Sequence, residues 1–133
     1  MPKAVIEKII KQAYGANFDT PAVAPLRPLK NNQYILELWH GPTAAFKDMA
    51  LQIMPLLFSA AIKQAGSKLR YLILTATSGD TGKAALEGFK DKPNISIAVF
   101  YPDKHVSPLQ KRQMATQAGA KVAVYAVQGD FDA

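Results

Sequence analysis

The chain contains no cysteine. That excludes disulfides and thiolate metal sites, and it fits a cytoplasmic protein. Histidine is scarce: His40 and His105 are the only two, too few for a histidine-rich centre, so no metal is expected. No apolar run approaches the roughly 20 residues that span a bilayer. The most apolar window, 49–62, is interrupted by Gln52, Pro55 and Ser59, and no membrane partner is expected. The N-terminus lacks the charged-then-apolar order of a secretory signal. Glycines stand singly at 15, 41, 66, 79, 82, 88, 119 and 129 and form no phosphate-binding cluster. Gly82-Lys83 fails as a nucleotide P-loop, because Thr77 stands where its first glycine belongs and Ala84 follows the lysine. A G-x-G-x-x-G fingerprint is absent as well. The net charge is +6, but basic residues are scattered and aromatics do not interleave with them. This reads as solvated surface with some pull on anions, not as a nucleic-acid footprint.

What is present suits a soluble globular protein: 133 residues, 49% apolar and 20% charged. One α/β domain over 1–133 is expected. Lys3 to Tyr14 has the apolar spacing of an amphipathic helix, ended by Gly15 and Asn17. Pro21, Pro25 and Pro28 make 18–30 an extended connector. Asn31-Asn32 signals a turn, and Gln33 to Leu38 a strand. A helix from Ala44 to Lys63 follows, capped by Thr43, kinked near Leu51 by Pro55 and ended by Gly66. A β-α-β-α-β pattern completes the chain: strands at 69–75, 95–100 and 121–127, helices at 82–89 and 108–118. The run 69–75 is apolar throughout, as in a strand buried on both faces. Ser107-Pro108 reads as a helix start with serine as cap. Short helical crossovers imply a parallel sheet in a three-layer, Rossmann-like arrangement. The chain stops at 129–133, just after a strand, where another helix would be expected, so a truncated piece of a larger protein is expected.

The stretch Trp39 to Asp48 joins strand to helix and carries the strongest chemical signal. Asp48, Gln52, Pro55, Ser59 and Lys63 recur at helical spacing as a polar or non-packing stripe. The neighbouring row is Lys47, Leu51, Met54, Phe58 and Ile62, apolar except for its first member. A lysine heading a core-facing row at a helix N-terminus is desolvated and beside partial positive charge. Both effects disfavour its charged form and suit an amine that attacks an aldehyde. A lysine that snorkels out of the first turn fits the row equally well.

The turn 77–82 lies between a strand and a helix, at the carboxyl end where open α/β sheets bind ligands. Backbone N–H groups and hydroxyls converge there on a carboxylate or phosphate. An ordinary polar loop with capping residues meets the same pattern.

The string His40-Gly41-Pro42-Thr43-x-Ala45-Phe46-Lys47-Asp48 resembles the pyridoxal-phosphate lysine motif of the threonine synthase family. The string Thr75 to Ala85, read TATSGDTGKAA, resembles the substrate loop of the same family, and the likeness runs from about Ile6 to the last residue. The resemblance implies a fold-type-II pyridoxal 5'-phosphate enzyme of tryptophan synthase β-like fold, with two α/β domains around the cofactor. It implies a lyase that turns O-phospho-L-homoserine and water into L-threonine and phosphate. Lys47 then forms the Schiff base with the cofactor and shuttles protons, with Phe46 beside the cofactor. Asp80 stands where relatives often carry asparagine next to its ring hydroxyl. Thr77, Ser78, Gly79, Thr81 and Gly82 match the loop that grips the substrate carboxylate, and Thr43 lines the pocket, as does His40 unless it is structural. The stretch from Tyr101 to Pro108, which includes His105, also resembles the family, near the active-site mouth. The phosphate clamp belongs to the remainder of such an enzyme, so 133 residues alone are expected to be inactive. The face left by that remainder is expected to be open to self-association. Two alternatives stay open: another fold-type-II lyase such as threonine dehydratase, and a non-catalytic anion-binding α/β module.

Overall fold

The computed structural model describes residues 1–77, 79–104 and 106–129. Ser78, His105 and the chain end at 130–133, each singled out above, lie outside the described residues.

Helix α1, Lys3–Ala13, buries Ile9 and Ala13 and leaves Val5, Ile6 and Ile10 exposed. Asn17 ends it as expected, its amide donating to the Ala13 carbonyl at 3.0 Å. The connector contains an element that proline content argued against. Strand β1, Leu26–Pro28, pairs antiparallel with β2, Tyr34–Leu36. Edge strands tolerate proline because one side of their backbone needs no donor. Asn31 and Asn32 both take left-handed φ, 57° and 55°, which gives the tight turn a hairpin favours.

The long helix expected after the hairpin is two helices, α2 (Asp48–Leu51) and α3 (Met54–Gln64). The break at Gln52 and Ile53 falls beside the kink that Pro55 predicts. Gly66, at φ 62°, closes the far end. The break also corrects the helical rows. Asp48 and Pro55, placed on the solvated stripe, are buried, whereas Met54, placed in the core row, is 45% exposed. A single 3.6-residue phase does not carry across two helices.

Strands β3 (Tyr71–Ala76), β4 (Ile95–Pro102) and β5 (Val122–Val127) form a parallel sheet in the order β3-β4-β5. Helices α4 (Asp80–Phe89) and α5 (Pro108–Ala115) connect them. The α/β class, the parallel sheet and the helix-strand order agree with the sequence reading. Helix α5 stops three residues before the predicted end. Its start is as predicted: Gln110 N–H donates to Ser107 Oγ at 3.3 Å, and the Gln110 side chain returns to the Ser107 N–H.

Leu86 of α4 and Met114 of α5 are fully buried against Ile95, Ile97 and Val99. Burial of each such side chain stabilises by about 1.5–3 kcal/mol. Strands added in sequence with right-handed crossovers place successive helices on the same face. The opposite face therefore has no helix among the described residues. Leu72 is 59% and Leu74 65% exposed on it, where both were expected to be buried.

Gly88 brings the α2–α3 break against α4. A Cβ at this position would lie 2.0 Å from the Leu51 carbonyl oxygen.

Candidate active site

Two loops carry the residues singled out above. The first runs from Trp39 into α2. Lys47 is the capping position, one residue before the helix, and not in its first turn. Thr43 was expected to cap by accepting a bond, and it does not. It is the donor: its N–H reaches Asp48 Oδ2 and its hydroxyl reaches Asp48 Oδ1, both at 2.8 Å. The carboxylate of Asp48 is thereby buried, 1% exposed. Asp48 was read as part of a solvated stripe; an aspartate in a first helical turn, five residues after a threonine, is the signal that could have found it.

Lys47 is half-buried and its Nζ lies 4.8 Å from the centroid of the Phe46 ring. A cation–π contact of this kind belongs to a snorkelling lysine, and replaces the core-facing position read from the helical row. Phe46 is 55% exposed, so an aromatic face stands beside the amine.

His40 anchors the same loop. Its Nδ1 meets Asp19 Oδ1 at 2.5 Å and its Nε2 meets Glu37 Oε2 at 2.8 Å. The bond to Glu37, followed by that to Asp19, raises the imidazole pKa against the opposing effect of burial. Glu37 is held below the usual carboxyl value, first by the His40 bond and then by Arg27. Neither carboxylate partner of His40 was anticipated from sequence.

The second loop follows β3. Thr77 is buried, and its Oγ1 accepts from the N–H groups of Gly79 and Gly82, at 3.0 and 3.1 Å. Thr77 thus caps α4, and those two N–H groups are turned inward. Asp80 and Thr81 follow in the first turn, at the positive end of α4. Asp80 Oδ1 accepts from Gln110 Nε2 at 2.8 Å, so the start of α5 steadies this loop. Gln110 was not singled out from sequence, although Ser107-x-x-Gln110 is a capping-box pattern that fixes where its side chain goes. A Cβ on Gly79 would overlap Gln110, and one on Gly82 would overlap Thr77 and Met114.

Both loops adjoin α4, the first through the contact of α2 and α3 with Gly88. Among the described residues no hydrogen bond or ion pair joins them to each other. The turn at 77–82 lies at the carboxyl end of β3. A cavity of about 590 Å³ lies toward the opposite end, between α1, α3 and residues 93–94, and none of the candidate catalytic, cofactor-binding or substrate-binding residues lines it.

No family model matches the chain. Individual proteins do. Threonine synthase of Pseudomonas aeruginosa is 45% identical over 129 residues, covering 97% of this chain and 27% of that protein. Human threonine synthase-like 1 is 43% identical over 137 residues, 99% of this chain and 18% of that protein. Among solved structures, pyridoxal-phosphate-bound threonine synthase from Brucella melitensis superposes with a TM-score of 0.87 at 40% identity, over 98% of this chain and 28% of that one. Yeast threonine synthase gives 0.88 at 39% identity, over 99% of this chain and 28% of that one. O-Ureido-L-serine synthase, at 18% identity and a TM-score of 0.56, shares the fold alone. The chain spans 18% to 28% of the length of these threonine synthase relatives. Along nearly its whole length it is a homologue of the threonine synthases, and it matches one part of their fold-type-II architecture.

Proposed function

We propose that the chain supplies the lysine loop and the carboxylate-binding loop of a cytoplasmic threonine synthase. The observation that carries this reading is the likeness to threonine synthases across both loops, with Lys47 at the head of α2 in one of them. The substrate is O-phospho-L-homoserine; phosphate leaves its γ-carbon, water adds at the β-carbon, and L-threonine results.

The residues fit one end of pyridoxal phosphate. Lys47 offers an amine for the aldehyde, and the exposed ring of Phe46 offers a flat apolar neighbour. The single glycines offer no loop for the phosphate, which a further part of such an enzyme provides. When bound, the cofactor supplies an electron sink for carbanion charge. Lys47 Nζ moves protons to and from the substrate. The start of α4, at Asp80 and Thr81, binds the substrate carboxylate at the positive end of that helix, with Ser78, as the resemblance implies. Thr77 holds that turn in shape from beneath, and Thr43 holds the lysine loop. Asp80 is tethered by Gln110; by the resemblance it would stand next to the ring hydroxyl of the cofactor.

The sheet face bearing Leu72 and Leu74 packs against the remainder of the enzyme, or against a second copy when that remainder is missing. The 133 residues alone are expected to show no turnover.

Phosphate release from O-phospho-L-homoserine by the full-length protein tests the proposal. Lys47→Ala abolishes it. Turnover of threonine or serine in its place, with none of phosphohomoserine, would assign the protein to a dehydratase instead. Full activity of Lys47→Ala would end the reading.

A further inference from the structure

A carboxylate at 1% exposure is costly unless every lone pair is used. A helix of four residues does not require one, since an exposed cap serves as well. Asp48 nevertheless goes inward and places each oxygen on a different donor of Thr43. The backbone closes over it: a Cβ on Gly41 would lie 2.6 Å from Asp48 Oδ2, so a side chain there would displace the carboxylate. Within the loop Ala44 N–H donates to the Gly41 carbonyl at 3.0 Å, and Ala44 sits at φ 55°, a conformation L-residues avoid. Such a backbone persists only where its surroundings impose it. On the far side, Leu51 N–H donates to the Lys47 carbonyl at 2.8 Å.

We propose that Asp48 is the positioning residue for Lys47: its buried carboxylate closes residues 41–48 into one turn and fixes where the lysine leaves the backbone. The inference rests on the reading of Lys47 as the cofactor-binding amine. The carboxylate of Asp48 is buried and bonded to Thr43. It acts through Thr43 on one side and through α2 on the other. A buried polar group retained for geometry rather than stability has precedent in the way single polar residues fix register elsewhere.

The test uses the full-length protein, well below the melting midpoint of every variant. Two quantities are measured. One is amide hydrogen exchange across 41–48. The other is the rate at which pyridoxal phosphate, fixed by borohydride, labels Lys47 relative to Lys3, whose side chain is 91% exposed. Asp48→Ala is expected to speed exchange about tenfold or more, and to slow Lys47 labelling by about as much, because small misplacements of a reacting group cost large factors in rate. Asp48→Asn keeps an oxygen for the Thr43 N–H and an amide for its hydroxyl, so it stays near the wild-type rate. Labelling unchanged in folded Asp48→Ala overturns the proposal, and so does an equal loss in Asp48→Asn. If Asp48→Ala does not fold, Thr43→Val and Thr43→Ser decide. The valine is expected to slow labelling several-fold and the serine to restore it; equal rates overturn the proposal. If wild-type Lys47 is not labelled at all, the cofactor reading fails, and exchange in the same variants judges the positioning of the loop by itself.

Discussion

His40 Nε2 and Glu37 Oε2 lie 2.8 Å apart and tie the end of the hairpin to the start of the lysine loop. Asp19 grips the other ring nitrogen, and Arg27 Nε reaches the second oxygen of Glu37 at 3.4 Å. Folding raises the His40 pKa, chiefly through the Glu37 bond, and lowers that of Glu37, chiefly through the same bond. The imidazole's contribution to stability is therefore complete below its ordinary value of 6.5 and is lost as pH rises through the raised value. That of Glu37 is complete above 4.5 and is lost as pH falls through its lowered value. The melting midpoint should decline on the alkaline side of 6.5, and in His40→Gln that decline should vanish. Trp39, the only tryptophan, stacks on the His40 ring at 5.6 Å and reports the same event. An imidazolium quenches indole emission, so Trp39 fluorescence should rise with a midpoint above 6.5, and should be flat across this range in His40→Gln.

Ala44 holds a left-handed backbone in the turn that precedes Lys47. For an alanine this costs roughly 1–2 kcal/mol. Glycine removes the strain but loses roughly 0.5–1 kcal/mol of chain entropy on folding. Ala44→Gly should therefore leave stability unchanged or raise it by up to about 1.5 kcal/mol in urea unfolding. Ala44→Val should lower it, since a β-branched residue is a worse fit to positive φ. A clear loss in Ala44→Gly would mean that the turn is not strained.

The two loops differ in how far sequence exposes them. Their identity was legible because the strings around Lys47 and Thr77 are specific, and the strand-helix alternation set their places in the sheet. Side-chain direction was less legible. Helical spacing assigned Asp48 to solvent, yet the chain breaks four residues later and Thr43 reverses its role from acceptor to donor. Leu72 and Leu74 read as buried because periodicity records that a strand is apolar, not whether this chain itself covers both faces. Partners distant in sequence, such as Asp19 for His40 and Gln110 for Asp80, leave no trace in local pattern.

Gly82 and Thr77 form a testable pair. A Cβ at 82 would lie 2.4 Å from Thr77 Cγ2 and 2.9 Å from Met114 Sδ. Overpacking of this kind costs about 1–3 kcal/mol, the range expected for Gly82→Ala. Thr77→Ser removes the methyl and keeps the oxygen that accepts from Gly79 and Gly82. The double variant should therefore recover part of the loss, a coupling that a double-mutant cycle reads directly. Thr77→Val, which keeps the shape and loses the acceptor, should cost about 0.5–2 kcal/mol, as removal of a helix cap does.

Gly88 meets a harder neighbour. A Cβ there would lie 2.0 Å from the Leu51 carbonyl oxygen and 3.1 Å from Pro55 Cγ. Methionine and threonine side chains can turn away, whereas a carbonyl moves only with its backbone. That carbonyl belongs to the last residue of α2, three residues beyond the Asp48 that closes the lysine loop. Gly88→Ala should push α2 and α3 away from α4 and cost about 3 kcal/mol or more, the upper end of overpacking penalties. It should exceed the cost of Gly82→Ala measured in the same denaturant series. The displacement should also reach Lys47, so labelling of that lysine by pyridoxal phosphate should slow in folded Gly88→Ala. Equal stability losses at 82 and 88, with Lys47 labelling intact at both, would show that α2 gives way without moving the site.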